Sequence, residues 1–330
     1  MQSFTFENRP APAVGSLSER PCRICGSGGN RVSASETPCA TWGGIAPWMP
    51  EGHYTTIRCR RCGTDYVDSD VTEEYLDALQ AAPRPDKVGV TTYEATDDLD
   101  AVRSAELAEN WDMINRIRPA KPGDELLDFG SAWGAFGAAA MRDQVIPNGI
   151  ELQPEGAAHS RKTWDRRSTI HEGPIETAPF ENGRFQFVTS FETLEHVADP
   201  IRIMRHMARL TAPDGVVAVS MPSADYFAFK YWLYRGHPLS GWLRRRFPGN
   251  MQQGRVLIHN HLITPTVKSA TMMMEQAGLE VIHAGIYCSG LSGGRLGKIL
   301  KLVGKLLWPL SGHRIAFAPS VFVVGRPKAT

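Results

Sequence analysis

The sequence has no apolar run near the roughly 20 residues that a membrane span needs. Its opening stretch, MQSFTFENRPAPAVG, lacks the basic start and apolar core of an export signal, so the expected location is the cytoplasm. Cysteine is scarce, six in 330 residues, which excludes a disulfide-dense secreted scaffold. Low-complexity tracts and internal repeats are missing too. What is left is an ordinary globular chain, 42% hydrophobic, with material for one large core and an accessory module.

Another absence narrows the ligand. Residues 125–140, ELLDFGSAWGAFGAAA, read as a buried strand running into glycines and then an alanine-rich helix. Gly130, Gly134 and Gly137 are spaced G-x-x-x-G-x-x-G, which is neither the dinucleotide pattern nor the phosphate-gripping loop. No lysine closes the turn, which speaks against a phosphate grip and for a nucleotide-type ligand held in another way.

Charge is uneven. From Asp225 onward there are 14 Lys or Arg against three acids, a balance of +11, which leaves −10 for residues 1–224 within the total of +1. A basic last third on an acidic body fits an anionic partner or a solvated face.

Four of the six cysteines form two C-x-x-C knuckles, Cys22/Cys25 and Cys59/Cys62, each followed by a glycine. In a cytoplasmic chain such pairs point to a metal before they point to disulfides. Four thiolates complete a tetrahedral shell suited to zinc, closed and therefore structural. Cys39 and Cys288 are left over as small hydrophobes. The expected organisation is a zinc ribbon over residues 1–70, a linker with helices over 71–120, and a catalytic domain over 121–330.

Beyond a helix at about 99–117, strand and helix patterns alternate from ELLDF to GVVAVSMP, the signature of a parallel sheet covered on both faces. LEVIHAGIY and APSVFVVGRP follow as two last strands able to pair antiparallel at an edge. Ligands of such sheets sit beyond the C-terminal strand ends. There the first strand offers Asp128, as ligand contact or as brace of the glycine turn, and the second offers Glu151. The 21-residue step from Gly130 to Glu151 matches the place of a ribose-binding acid.

ELLDFGSAWGAFG, GIEL, FQFVTSFETLEHVADP and APDGVVAVSMPS resemble, in order and spacing, the motifs of class I S-adenosylmethionine-dependent methyltransferases, over roughly residues 95–285. The resemblance implies a Rossmann-like α/β fold, mostly parallel with an antiparallel edge strand. It implies S-adenosylmethionine as cofactor, an adenine ribonucleoside on a methionine tail that needs no phosphate-binding lysine. It places Asp128, Gly130, Ser131 and Gly134 around the methionine end, Glu151 on the ribose with Gln153 beside it, and Glu176 near the adenine. Phe191 and Glu192 line the cleft, with Glu195 and His196 at its mouth. Ala132 stands where the family commonly has glycine, and Gln186 where it commonly has aspartate, so Gln186 receives no role.

The substrate end is expected in an insertion, residues 224–258, where aromatics and Arg244, Arg245 and Arg246 form a lid over the acceptor or pack against the body. Residues 292–310 carry Leu296, Ile299, Leu300, Val303, Leu306 and Leu307 on one helical face, with Lys298, Lys301 and Lys305 towards the other. That profile fits an interfacial helix on an anionic membrane, or one docked on its own domain. His261, His259 and His237 are the candidates for a proton-accepting base, or serve as caps and braces.

The resulting expectation is a methyltransferase with a structural Zn2+ ribbon, acting on a sugar-derived or lipid-linked small molecule, peripheral at the inner membrane face. An RNA methyltransferase is the second reading, although the ribbon is not basic enough for an RNA clamp and lacks base-stacking aromatics. A zinc-ribbon adaptor with a decayed core is the third.

Overall fold

The computed structural model describes residues 21–28, 31–38, 53–68, 97–197, 199–231, 241–242, 261–287, 302–304, 306–312 and 317–328. Three strands open the chain, β1 (Arg31–Pro38), β2 (His53–Cys59) and β3 (Asp65–Asp68), paired antiparallel in sequence order. Helix α1 (Asp97–Ile117) leads into β4 (Glu125–Phe129). Then come α2 (Ala135–Ala140), β5 (Ile146–Glu151), α3 (Pro154–Thr163), β6 (Ile170–Glu172) and β7 (Phe185–Phe191). The chain continues with α4 (Pro200–Leu210), β8 (Thr211–Pro222), α5 (Ala224–Tyr231), β9 (Ile263–Thr264) and α6 (Val267–Gln276), and closes with β10 (Leu279–Tyr287) and β11 (Ser320–Pro327).

The seven-stranded sheet runs β10-β11-β8-β7-β4-β5-β6. The five strands from β6 to β8 are parallel, and β11 runs against both of its neighbours. The expected antiparallel pair therefore exists, with the reversed strand one position in from the edge. Strand residues alternate between two apolar layers, as the two-residue side-chain period requires. Leu127, Val188, Val217 and Val323 enter one, while Leu126, Phe187, Ala218 and Phe322 enter the other. Trp111 of α1 is fully buried in the second layer, edge-on to Phe187 at 5.0 Å, with its indole N–H donating to Asp143 at 2.6 Å.

Helix starts follow local chemistry. Asp199 caps α4 by accepting from the Arg202 amide at 2.9 Å, with Pro200 in the first turn. Thr266 and Ser269 cap α6 reciprocally. Strand order reverses between β4 and β7, which opens the crevice where ligands of such sheets sit.

The cysteine-bearing strands are not a separate bead. β3 pairs with β9, so a segment of the main domain completes their four-stranded sheet. Ile24, Ile57 and Tyr66 share one apolar cluster with Ile263, Met273 and Met274. Gln276 donates to the Ile24 carbonyl and Lys268 to that of Arg61, each at 2.7 Å. Among the described residues no helix is long and apolar enough to cross a membrane.

Candidate active site

The glycine turn after β4 is built around one carboxylate. Glu151, at the end of β5, accepts from the Ala132 amide at 2.7 Å and from the Gln153 amide at 2.8 Å. The Gly130 and Ser131 amides donate to the Ile150 carbonyl at 2.9 and 3.2 Å. A lone buried acid at a strand end needs a partner; here backbone amides supply it, so its burial alone does not require a ligand. Each oxygen keeps further acceptor capacity for a ligand hydroxyl.

Two glycines have separate reasons. Gly130 takes φ +77°, and a Cβ there would lie 2.4 Å from Thr193 Oγ1, at the crevice. Gly134 shares that φ, but its Cβ would strike Ser160 and Trp164, and its carbonyl accepts from the Trp164 indole at 2.7 Å. Gly134 thus lets α2 approach Trp164, a packing partner that the glycine pattern alone does not reveal. Ala132, where the resemblance implies glycine, is held at φ +48°. A side chain there costs about 1–2 kcal/mol, which explains the usual glycine.

Asp128 is buried and accepts from Thr189 Oγ1 at 2.8 Å. Burial pushes its carboxyl up to about 7, against the opposing effect of the Thr189 hydroxyl and with help from the Glu151 charge. The Ser131 hydroxyl is buried without a hydrogen-bond partner and faces Gly149. Glu176 pairs with Arg202 at 3.2 Å. Phe191 is half-buried between Phe136 and Phe322, with centroids at 4.7 and 6.4 Å. Gln186, left without a role by its sequence context, accepts from the Glu125 amide at 2.8 Å and ties β7 to β4.

After β7 the chain turns through Glu192, whose φ is +51° and whose carboxylate accepts from Ser220 Oγ at 2.9 Å. The next turn, Leu194–His196, buries Glu195 completely. Neither Glu195 oxygen has a hydrogen-bond partner, and Oε1 lies 3.7 Å from Nε2 of both His196 and His261. Burial, and then the Glu192 charge, push this carboxyl well above the usual range. The two imidazoles meet at 4.6 Å, and Leu262 donates its amide to the Glu195 carbonyl at 2.7 Å. His261 thus lands beside Glu195, a partner that its distance of 66 residues in sequence conceals. His237, His259 and Arg244 to Arg246 lie outside the described residues, as do Cys39, Cys288, Leu296, Lys298, Ile299, Leu300, Lys301 and Lys305.

The four knuckle thiols come together, with all Sγ atoms within 4.8 Å of one another. The two turns are near copies. Gly26 and Gly63 donate to the Cys22 and Cys59 carbonyls, each at 2.8 Å, while Cys22 and Cys59 donate to Ser27 and Thr64 at 3.0 and 2.9 Å. The Cys22 thiol and burial push Cys62 far up, and burial pushes Cys25 up. Packed thiols resist ionisation until a cation joins them, and this donor set suits a soft divalent metal.

Residues 102–284 match the family model described as "Methyltransferase domain", over half of the chain. The chain belongs to this methyltransferase family. It is a class I methyltransferase, and S-adenosylmethionine is the family's cofactor. It is similar to demethylmenaquinone methyltransferase of Bacillus cereus (strain B4264), 26% identical over 194 residues that cover 55% of this chain and 81% of that protein. The demethylmenaquinone methyltransferase of Bacillus pumilus (strain SAFR-032) is 24% identical over 221 residues, 63% of this chain and 93% of that one. Among solved structures, an S-adenosylmethionine-dependent methyltransferase from Mesorhizobium loti gives a TM-score of 0.44 at 16% identity, covering 66% of this chain and 97% of that one. Geranyl diphosphate C-methyltransferase from Streptomyces coelicolor A3(2) gives 0.43 at 15%, covering 67% and 75%.

Proposed function

We propose that this methyltransferase modifies a sugar-derived or lipid-linked small molecule at the face of an anionic membrane, its four thiolates holding a structural zinc ion. The observation that carries the membrane part is an outward apolar face. In the helical residues 302–304 and 306–310, Leu302, Val303, Leu306 and Leu310 are exposed, Leu310 at 79%. The same segment docks through its other side, where Gly304 approaches the Phe317 carbonyl and Trp308 packs on the core. The docked side supports a helix packed on its own domain, and the exposed leucines support an interfacial role for the other side. The names of the curated relatives, demethylmenaquinone methyltransferases, weigh on the same side against RNA.

On this reading the glycine turn and Glu151 hold the nucleoside, with Gln153 beside the ribose and Glu176 towards the adenine. Asp128, Gly130, Ser131 and Gly134 border the methionine tail. Phe191 and Glu192 line the cleft, and the acceptor enters beside His196 and His261. Methyl transfer from a sulfonium is an in-line displacement, so the residues act mainly by aligning acceptor and methyl group and excluding water. Zinc fits the thiols by donor type, count and knuckle geometry, and four protein ligands would leave it a structural role.

The test is flotation of the full chain with vesicles containing anionic lipid at physiological salt. The wild type is expected with the vesicles, and Leu306→Glu/Leu310→Glu in the soluble fraction. Wild-type protein that stays off the vesicles would overturn the membrane reading. Isothermal titration with S-adenosylmethionine tests the cofactor separately.

A further inference from the structure

Burying a carboxylate with no hydrogen bond is costly, and it persists where something else compensates the charge. Glu195 is such a group. It is fully buried, and neither oxygen accepts a hydrogen bond. Its surroundings are not apolar, however, because Oε1 faces the Nε2 atoms of His196 and His261 at 3.7 Å each. One donor atom from each of the three residues lies within 4.8 Å of the others.

We propose that Glu195, His196 and His261 bind a divalent metal ion, distinct from the thiolate site and open towards the acceptor. Imidazole and carboxylate ligands bind first-row divalent ions at about 2.0–2.2 Å, which places neighbouring donors about 3.0–3.5 Å apart at octahedral or tetrahedral angles. The observed 3.7 Å separations are a few tenths wider, a gap that small side-chain rotations close. The mixture of imidazole and carboxylate suits manganese, iron or zinc over calcium.

The site is open on one side. The Glu195 side chain is inaccessible, whereas His196 and His261 are 22% and 14% exposed. Three protein ligands with an open position mark a catalytic ion, unlike the closed shell of four thiolates. Glu192 adds a second negative charge at this end of β7, and its φ of +51° is the kind of strain that collects at functional sites. The cysteine-bearing strands hold the arrangement in place. His261 sits just before β9, β9 pairs with β3, and Thr266 Oγ1 donates to the Cys62 carbonyl at 2.8 Å.

The use of the ion rests on the methyl-transfer reading, although its binding does not. A divalent ion here would lower the pKa of an acceptor hydroxyl. The hydroxyl proton leaves to water at the open side. The oxygen then attacks the methyl carbon, the carbon–sulfur bond breaks with its electron pair going to sulfur, and a methyl ether and S-adenosylhomocysteine result. The proposal thus selects O-methylation, with His261 as a ligand and not a free base.

The experiment is titration with Mn2+ of the full chain carrying one equivalent of zinc, enough for the four thiolates alone, followed by loss of the electron paramagnetic resonance signal of the free aqua ion. One Mn2+ per chain is expected, with nitrogen hyperfine coupling from imidazole in the bound-ion spectrum. Glu195→Gln and His261→Asn should each weaken binding by at least about 100-fold, the upper end of what losing an outer-shell partner costs, while keeping S-adenosylmethionine affinity and the thermal transition as evidence of folding. Wild-type protein that takes up no Mn2+, or bound Mn2+ without nitrogen coupling, would overturn the proposal. So would folded variants that bind Mn2+ as the wild type does. Because S-adenosylmethionine affinity is measured on the same zinc-loaded protein before Mn2+ is added, failure of the cofactor reading remains distinguishable.

Discussion

The two ends of the crevice are assembled in different ways. At the proposed cofactor end, Asp128, Gly130, Ala132 and Glu151 come from one strand–turn–helix–strand unit, and its central bonds link residues 19 and two apart. At the proposed acceptor end, Glu195 meets His261, and His261 is anchored through β9 and Thr266 to a ribbon that lies 204 residues away in sequence. The first end is short-range and stands on the sheet. The second is a chain of docked parts, and loosening one part should loosen all of it. If so, each end can be broken while the other survives.

The largest effect is expected from the ribbon. Cys62→Ser removes one of the four thiols and loosens the knuckle that Thr266 grips. Amide exchange at Ile263 and Thr264 should accelerate at least about 100-fold, equivalent to ~3 kcal/mol of lost local stability. The amides of Gly130 and Ser131 should stay protected, and S-adenosylmethionine affinity should change by less than about twofold. Equal loss at both ends would show that the ribbon supports the whole sheet and would end the comparison.

The converse variant is Glu151→Ala. It leaves the Ala132 and Gln153 amides without their acceptor and removes the carboxylate proposed to meet the ribose. Each charged hydrogen bond contributes about 1.5–3 kcal/mol, so affinity should fall about 30-fold in isothermal titration. Exchange at Ile263 should not move. Unchanged affinity would leave Glu151 as a brace only.

This division also explains what the sequence made legible. The parallel sheet, the glycine turn, Glu151 at its strand end and the two cysteine knuckles were readable because each is encoded within a few residues or in a fixed spacing. What stayed hidden was contact at long separation. Nothing near His261 announces Glu195, nothing near Gly134 announces Trp164, and β9 has only two residues. Pairing of β3 with β9 is set by tertiary docking, so periodicity could not reveal that the ribbon and the main domain share a sheet.

A smaller effect would sharpen the cofactor end. Asp128 has a folded-state pKa raised to about 7 by burial, against an ordinary 3.8. The unfolded chain therefore releases this proton first, and the contribution of Asp128 to stability is present at low pH and lost as pH rises from about 4 to 7. Asp128→Asn should flatten that slope in urea titrations at different pH. The cationic cofactor has the opposite preference, because it favours the ionised carboxylate. If Asp128 borders the methionine tail, S-adenosylmethionine affinity should rise about tenfold between pH 6 and pH 8, a linkage of ~1.4 kcal/mol. The Asn variant should lose this dependence; a wild type with flat affinity would remove Asp128 from the ligand's surroundings.

The smallest effect concerns strain that the two ends share. Ala132 and Glu192 both hold left-handed backbone, at φ +48° and +51°, one in the cofactor turn and one beside the Glu195 cluster. Ala132→Gly should relieve about 1–2 kcal/mol of strain and give back about 0.4–1 kcal/mol through the freer unfolded chain, a net gain of about 0.5 kcal/mol. In a domain of this size that raises the melting temperature by only about 1–2 °C. Glu192→Gly relieves the same backbone strain but loses the bond from Ser220 and one carboxylate of the acceptor end. Its melting temperature should therefore rise less than that of Ala132→Gly, while bound Mn2+ weakens. Equal gains with unchanged Mn2+ affinity would mean that the strain at Glu192 serves nothing at the acceptor end.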